Sequence, residues 1–305
     1  MDKVLSVQHV SKSFSNKIVL HDISLDLHRG EIYGLVGRNG SGKTTLIKII
    51  TGVTAMDSGQ LCLFDNPNAR QERYRLGSLI ESPALFDNLT GRQNLEYFRR
   101  QRGFVDPLEV TNLLAQVGLA NYIDVKVKKY SLGMRQRLSI ALAMLGKPDI
   151  LILDEPINGI DPSGIVEMRI LLRELVEKYQ ISILISSHIL EELSQLAHRF
   201  GILDKGMIVD EVTREQLVNA VGKYLVVETT DSAHCCAIIE QEFGIFNYNV
   251  VDRKTIHIHE AIERAAEINR VLITKGAEVS AFYCHRESLE DYYMRILECE
   301  GHRNA

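Results

Sequence analysis

The chain contains a short glycine-rich run whose residue types suit the binding of phosphate groups. The run Gly37-Arg38-Asn39-Gly40-Ser41-Gly42-Lys43-Thr44 fits the pattern G-x-x-x-x-G-K-S/T and stands between an apolar run and a helical segment, Thr45–Ile50. Its glycines let backbone N–H groups curl around phosphate oxygens, and the start of the helix adds a positive dipole end. We expect Lys43 to reach the β- and γ-phosphates, Thr44 to offer its hydroxyl to Mg²⁺, and Thr45 to contact the nucleotide as well. A glycine-rich turn with a solvated lysine is the alternative when this motif is taken alone.

A second run carries two carboxylates. Ile150-Leu151-Ile152-Leu153-Asp154-Glu155-Pro156 has the pattern of a buried strand that ends in an acidic pair. Because buried carboxylates are costly unless a cation or a reaction uses them, Asp154 is expected to hold Mg²⁺ and Glu155 to polarise an attacking water. A simple strand-end cap is the alternative, but the phosphate loop upstream favours a site that hydrolyses ATP.

Apolar runs and helical segments alternate over the first two-thirds of the chain, which is typical of an α/β fold with a parallel sheet. Helix-like segments replace this alternation at Gly91–Arg102, Leu108–Val117 and Ser131–Leu145, so we expect a helical subdomain over about residues 85–145. From about Tyr224 the order strand, helix, strand, strand, helix, strand and a final helix (288–299) resembles a small ferredoxin-like α+β domain. These patterns place the domain boundary near residues 210–223, which divides the chain into a domain of residues 1–215 that carries the phosphate loop and a C-terminal accessory domain of residues 216–305.

Composition and charge narrow the classes of function. The 305 residues include 35 Lys and Arg against 40 Asp and Glu, and a net charge of −5 without a dense basic patch argues against a nucleic-acid partner. The five cysteines have no repeating spacing and the first residues lack a signal-peptide pattern, so a reduced, cytoplasmic protein is expected. The apolar runs are far shorter than the roughly 20 residues that cross a bilayer, so any membrane role would need a partner.

The segment Tyr130-Ser131-Leu132-Gly133-Met134-Arg135-Gln136-Arg137 is similar to the L-S-G-G-Q signature of ABC transporter ATPases. Ser131 and Gly133 keep the serine and the second glycine, whereas other residues replace the first glycine and the glutamine. The resemblance covers about residues 1–215, with the motifs in the family's order. It implies that Phe14 stacks on adenine, that Asn158-Gly159-Ile160-Asp161 forms the D-loop, and that His188 contacts the γ-phosphate and the attacking water.

The resemblance also implies the cassette form of the P-loop NTPase fold and a particular assembly. In this family the signature loop of one subunit closes over ATP held by the phosphate loop of another, so a head-to-tail homodimer or pseudo-dimer with two ATP molecules is expected. Ser131, at the start of a predicted helix, would then present a hydroxyl and a helix dipole to the phosphate. The expected partner is a separate integral-membrane permease, which implies a peripheral position on the inner face of the cell membrane.

Glu81 departs from the family pattern. The family normally has glutamine after the strand near Leu76–Ile80, whereas Leu79-Ile80-Glu81-Ser82-Pro83 places a carboxylate there. Glu81 can still ligate Mg²⁺ or orient water, but it adds like charge near a triphosphate. With Pro83-Ala84-Leu85-Phe86 and Leu89-Thr90, this variant resembles exporters that confer immunity or resistance to lantibiotics and bacitracin. The alternative is a tolerated exchange that has no bearing on the substrate.

Other functions account for less of the sequence. A small-molecule kinase shares the phosphate loop, but its chemistry gives no role to the signature, the D-loop or His188. Relatives that act on ribosomes or DNA carry two cassettes or long coiled coils, which are not found in this sequence. Import or export of another small molecule is the alternative within transporters. A zinc site near Cys235-Cys236 or near His257 and His259 is disfavoured because these residues lack paired C-x-x-C spacing.

Overall fold

The computed structural model describes residues 2–15, 17–81, 85–220, 222–286, 289–293 and 296. It separates into two compact units, one from Met1 to Arg214 and one from Glu215 to His302. The strands are β1 (Lys3–Phe14), β2 (Lys17–His28), β3 (Ile32–Val36), β4 (Ser58–Leu63), β5 (Leu76–Leu79), β6 (Ile150–Asp154), β7 (Ser182–Ser187), β8 (Arg199–Asp204), β9 (Met207–Thr213), β10 (Lys223–Thr229), β11 (Tyr248–Val250), β12 (Thr255–Ile258) and β13 (Val279–Arg286).

The α-helices are α1 (Lys43–Thr51), α2 (Ala69–Glu72), α3 (Gly91–Gln101), α4 (Leu108–Gln116), α5 (Leu132–Ala143), α6 (Pro162–Tyr179), α7 (Leu190–Ser194), α8 (Arg214–Ala220), α9 (Ser232–Phe243) and α10 (Ala265–Thr274). Single 3₁₀ turns span Arg73–Arg75, Ala120–Tyr122, Val127–Lys129 and Ile262–Arg264. The alternation of these elements confirms the α/β class that the sequence pattern predicts.

The first unit is built on a six-stranded sheet with the order β5-β6-β7-β3-β8-β9. The first five strands in this order pair in parallel, and β9 is antiparallel to β8. Every residue of β3, β6 and β7 is buried, as expected for central strands covered on both faces. Because parallel strands end at the same edge, this order brings the segments that follow Val36, Asp154 and Ser187 together.

A three-stranded antiparallel sheet with the order β2-β1-β4 forms a second layer of the same unit. Helix α1 buries Leu46, Ile47, Ile49 and Ile50 in one apolar core with residues of both sheets, including Leu25 and Leu35. Each of these side chains removes enough apolar surface from water to contribute about 1.5–3 kcal/mol. The core therefore fixes the helix that begins within the predicted phosphate loop.

Helices α3, α4 and α5 lie in sequence between β5 and β6, where the inserted helical segments are predicted. The start of α3 is fixed by a capping box, in which the Thr90 side chain accepts from the Gln93 N–H and the Gln93 side chain accepts from the Thr90 N–H. The start of α5 is capped by Ser131, whose hydroxyl accepts from the Met134 N–H at 3.2 Å. Both helix starts follow from local side-chain chemistry.

The second unit contains a four-stranded antiparallel sheet with the order β11-β12-β10-β13. When its strands are counted from β10, this order is 2-3-1-4, and α9 and α10 occupy the two crossovers of the ferredoxin-like pattern. Leu225, Ile256 and Ile258 pack with residues of both helices in a separate core. Of the predicted final helix, residues 289–293 and 296 are helical and the rest lie outside the described residues.

Candidate phosphate and carboxylate site

The predicted phosphate loop joins β3 to α1, and two of its glycines are required by local geometry. Gly42 has a backbone φ of 116°, and a Cβ there would lie 2.6 Å from Leu20 Cδ2. A Cβ on Gly37 would overlap the carbonyl oxygen of Leu203. These glycines permit the tight path that the sequence pattern predicts.

The ammonium group of Lys43 is folded onto the loop. Its Nζ donates to the carbonyl oxygens of Gly37 at 2.6 Å and Arg38 at 3.2 Å. It also lies 3.3 Å from Glu155 Oε1, with only 6% of the lysine side chain exposed. A buried ammonium needs acceptors of this kind, and phosphate oxygens are charged acceptors that can serve it in the same way.

Thr44 and Asp154 connect α1 to β6. Thr44 Oγ1 donates to Asp154 Oδ2 at 2.7 Å, and Ser186 Oγ donates to Asp154 Oδ1 at 2.5 Å. Asp154 is only 7% exposed, so these hydroxyls replace most of the water that a carboxylate would otherwise bind. Ser186 is not among the residues predicted from the sequence, although its place near the end of β7, two residues before His188, is a usable signal.

Glu155 follows β6 with a φ of 49°, a left-handed conformation that is unfavourable for a residue with a side chain. Its N–H donates to Ser186 Oγ at 3.0 Å, and its Oε2 lies 2.9 Å from His188 Nδ1. The two residues predicted to be catalytic are therefore in direct contact. A carboxylate paired with an imidazole can take a proton from a water molecule at this edge of the sheet.

A cavity of about 250 Å³ lies against the loop and is lined by Val19, Asn39, Gly40, Gly42, Lys43, Thr44, Thr45 and Glu155. Ser41 is only 5% exposed, and among the residues described its hydroxyl has no hydrogen-bond partner. A buried, unpaired hydroxyl beside a lysine and a helix N-terminus suits a phosphate oxygen. A larger cavity of about 500 Å³ lies where Asp149 and Ile181 precede β6 and β7, and no predicted site residue lines it.

The signature residues occupy a different place in the chain from this cluster. Ser131 is exposed at the N-terminus of α5, and Gly133 lies in the first turn of that helix. No hydrogen bond or ion pair between described residues joins either of them to Lys43, Thr44 or Asp154. Among the described residues, the signature is therefore not bonded to the phosphate loop of its own chain.

The predicted D-loop instead contacts the helix that begins at the predicted signature. A Cβ on Gly159 would lie 3.2 Å from Leu132 Cδ2, which shows how closely the two segments approach. Asp161 precedes α6 and accepts a hydrogen bond from the Ser163 hydroxyl, which is the main reason that the pKa of the Asp161 carboxyl is below its usual value. The Asp161 carboxylate is thus held in its charged form.

Phe14 lies at the end of β1, beside the turn into β2, with 49% of its surface exposed. The Lys12 ammonium lies 5.3 Å from the centre of its ring. An exposed ring of this kind is available for stacking on a nucleobase. Phe14 therefore lies outside the buried carboxylate cluster, on the antiparallel sheet.

Glu81 follows β5 and makes an ion pair that the sequence analysis did not predict. Its Oε1 lies 2.7 Å from Lys48 Nζ, and 65% of the Glu81 side chain is exposed. Pro83 and Ala84, which contribute to the predicted exporter resemblance, lie outside the described residues. Glu81 is thus paired with a cation of α1, while Thr44 is bonded to Asp154.

The donor atoms at the end of β6 fit Mg²⁺. A hydroxyl and a carboxylate, supplied by Thr44 and Asp154, are hard oxygen ligands of the type that this ion takes together with water and phosphate oxygens. A phosphate loop with a lysine, a metal-type carboxylate and an adjacent carboxylate–imidazole pair is typical of a P-loop nucleoside triphosphatase.

Comparison with known proteins identifies the family of P-loop nucleoside triphosphatases to which the chain belongs. A family model described as ABC transporter matches residues 20–158. The chain is 34% identical over 300 residues to the bacitracin transport ATP-binding protein BcrA of Bacillus licheniformis, covering 97% of this chain and 98% of that protein. It is 38% identical over 211 residues to the lantibiotic transport ATP-binding protein SrtF of Streptococcus pyogenes, covering 68% of this chain and 90% of that protein.

A solved structure described as the ATP-binding subunit of an ABC transporter matches with a TM-score of 0.61 and 27% identity, covering 71% of this chain and 92% of that one. The chain therefore belongs to the ABC transporter ATP-binding proteins. It is a subunit that binds and hydrolyses ATP, as the sequence motifs predict. Within the described ranges, no helix is both long and apolar enough to cross a membrane.

Proposed function

We propose that ATP is hydrolysed at the cluster formed by the phosphate loop, Asp154, Glu155 and His188. The observation that carries this proposal is the contact of Glu155 with Lys43 at 3.3 Å and with His188 at 2.9 Å. Lys43 and the loop N–H groups bind the phosphates, and Glu155, oriented by His188, takes the proton of the attacking water. Thr44 and Asp154 hold Mg²⁺; when bound, the ion neutralises charge on the β- and γ-phosphates. Glu81, which the sequence also predicts as a ligand, pairs with Lys48 in this structure.

The complete site needs a second copy of the chain. Ser131 and Gly133 stand at an exposed helix N-terminus, where backbone donors and the helix dipole favour an anion. Because no described hydrogen bond or ion pair joins either residue to the phosphate loop of its own chain, they are available to close over ATP held by a partner. This supports a head-to-tail homodimer with two ATP molecules, in which Phe14 stacks on adenine and Asp161 lies in the D-loop beside the interface.

The substrate class rests on the relatives. Two proteins that match most of the chain carry names that assign them to bacitracin and lantibiotic transport. We propose that this chain likewise drives export of a peptide antibiotic through a separate membrane permease and so confers resistance. The ATPase domain of residues 1–215 would then act at the cytoplasmic face of the membrane, with residues 216–305 as an accessory domain. Transport of another small molecule in either direction is the alternative.

A growth challenge tests this proposal. Cells that express the native operon with the wild-type chain or with Glu155→Gln are exposed to bacitracin, to several lantibiotics and to unrelated toxic small molecules. Protection against the peptide antibiotics alone, lost in the variant, is expected. Equal growth of both strains on every peptide antibiotic would contradict the substrate class, and protection against an unrelated compound would identify the alternative.

A further inference from the structure

The ion pair between Glu81 and Lys48 joins two parts of the chain that the proposed ATPase site must coordinate. Glu81 stands after β5, at the start of the connection to the helical insertion that carries Ser131. Lys48 lies on α1, four residues and therefore about one helical turn beyond Thr44. One face of α1 thus presents Thr44 to Asp154 and Lys48 to Glu81.

The backbone at Glu81 indicates that this residue is held in place. Its φ is 59°, a left-handed conformation that residues with side chains rarely adopt without compensating interactions. The described interaction of its side chain is the 2.7 Å contact with Lys48, whose own side chain is 33% exposed. The ion pair is therefore a direct restraint on where the chain leaves β5.

The ion pair also affects the charge near the proposed nucleotide site. Glu81 follows a strand of the same sheet whose edge carries the proposed triphosphate site, so its negative charge opposes the phosphates, whereas a neutral glutamine would not. An ammonium group at 2.7 Å carries the opposite charge and counteracts that repulsion. Lys48 is therefore suited to compensate the negative charge of Glu81 at a position where the family has a neutral glutamine.

We propose that Lys48 is a positioning residue for Glu81: it holds the Glu81 carboxylate against α1 and compensates its charge toward the nucleotide. This inference rests on the proposed nucleotide site at the phosphate loop. It predicts that Lys48 affects ATP binding through Glu81. The competing explanation is that Lys48 attracts the phosphates directly.

A double-mutant cycle separates the two explanations. ATP is titrated by calorimetry, with Mg²⁺ and with EDTA, into the wild type, Lys48→Met, Glu81→Gln and the double variant. Lys48→Met is expected to weaken ATP binding about two- to fivefold, since exposed ion pairs contribute modestly. The double variant is expected to bind ATP as tightly as Glu81→Gln alone, and Lys48→Arg to bind as the wild type does.

Two controls complete the experiment. Lys178→Met breaks an exposed 2.7 Å ion pair with Glu174 on α6 and is expected to leave ATP affinity unchanged. Lys43→Ala tests the nucleotide site itself and is expected to weaken binding far more than Lys48→Met. The positioning role would be overturned if the double variant bound ATP as weakly as Lys48→Met does. It would also be overturned if Lys48→Met bound ATP with wild-type affinity. Undiminished affinity in Lys43→Ala would instead refute the nucleotide site.

Discussion

The hydroxyl of Thr44 donates a 2.7 Å hydrogen bond to Asp154, although 110 residues separate the two in sequence. The contact forms because α1 starts beside the end of β3 and Asp154 ends β6, at the same edge of a parallel sheet. Neither residue is unusual alone, since threonines often begin helices and aspartates often end strands. Their contact places a metal-type oxygen pair beside the phosphate loop.

Replacing Glu155 by glutamine should separate ATP binding from hydrolysis. The amide keeps the size of the side chain but is not a base, so the hydrolysis rate should fall by about 10²–10⁴-fold. ATP affinity should be retained because Lys43 and the loop are intact, and the closed dimer should accumulate with ATP. Phosphate release and light scattering measure the two effects. Glu191→Gln, at an exposed position in α7, is the matched control; rapid hydrolysis by Glu155→Gln would remove this residue from the catalytic role.

A mixture of two inactive variants should recover activity if each site is shared between two chains. Lys43→Ala spoils the phosphate loop and Ser131→Ala spoils the signature, so a mixed dimer has one doubly altered site and one intact site. Random pairing should restore up to about a quarter of the wild-type ATPase rate. Ser131→Ala also removes a helix cap that contributes about 1 kcal/mol, so its helix content must be checked by circular dichroism. A mixture no more active than its components would argue against the head-to-tail arrangement.

Tyr33→Phe should stabilise the protein. Tyr33 is fully buried, and among the described residues its hydroxyl has no hydrogen-bond partner, so removing that oxygen should raise the free energy of unfolding by about 1 kcal/mol. Burial, followed by the charge of Glu211, raises the pKa of Tyr33 well above its usual value of 10.0. Urea unfolding at neutral pH measures this gain.

The same substitution has a predictable pH dependence. Because the pKa of Tyr33 is raised in the folded state, the folded protein favours the protonated phenol. The contribution of this pKa difference to the free energy of unfolding is fully present below pH 10.0 and is lost as pH rises above that value. The advantage of Tyr33→Phe should therefore grow in alkaline solution. Tyr74→Phe, which alters a tyrosine with 78% exposure, is the control and should change neither the free energy of unfolding nor its dependence on pH. If the free energies of unfolding of the wild type and Tyr33→Phe differ by the same amount at neutral and at alkaline pH, the prediction is wrong.

The C-terminal unit should lose stability in mild acid. The Tyr224 ring lies 4.5 Å from the His257 ring and 5.0 Å from the His285 ring, between centroids. Burial, and then the charges of His259 and His285, lower the pKa of His257 from 6.5. Because its pKa is lower in the folded state, His257 binds a proton more tightly in the unfolded chain. Its contribution to the free energy of unfolding is therefore fully present above pH 6.5, where the imidazole is neutral, and is lost as pH falls below that value.

His257→Gln should flatten this acid dependence because the substituted side chain does not titrate. Urea unfolding followed by circular dichroism between neutral and mildly acidic pH measures the difference. His234→Gln alters an exposed histidine of α9 and should retain the wild-type slope. An unchanged slope in His257→Gln would show that other groups control the acid response.

Much of the site could be predicted because its residues stand at the ends of buried strands. The apolar runs before Gly37, Asp154 and His188 identify parallel strands, and parallel strands bring their carboxyl ends together. The contacts of Lys43 with Glu155 and of Thr44 with Asp154 follow from that rule, because α1 begins just after β3 and both carboxylates stand at the end of β6. The ferredoxin-like order of the second unit likewise follows from the alternation of its elements.

Other features had no clear signal in the sequence. Strands β1 and β2 run for 12 residues each but pair with several register shifts, which weaken the alternation of apolar and polar residues that would reveal them. The pairing of Glu81 with Lys48 joins two long, partly exposed side chains, and many such pairs are compatible with any sequence of this composition. The predicted boundary region near residues 210–223 begins within β9, which belongs to the first unit.

The position of β7 between β3 and β6 gives the site a fixed width. Neighbouring strands lie about 4.8 Å apart, so the strand that leads to the phosphate loop and the strand that ends in Asp154 are separated by about 10 Å. The intervening strand ends in two serines, which are small enough to leave this gap open. The distance between the lysine and carboxylate segments is therefore a dimension of the sheet itself, and rearrangement of the inserted helices would leave it unchanged.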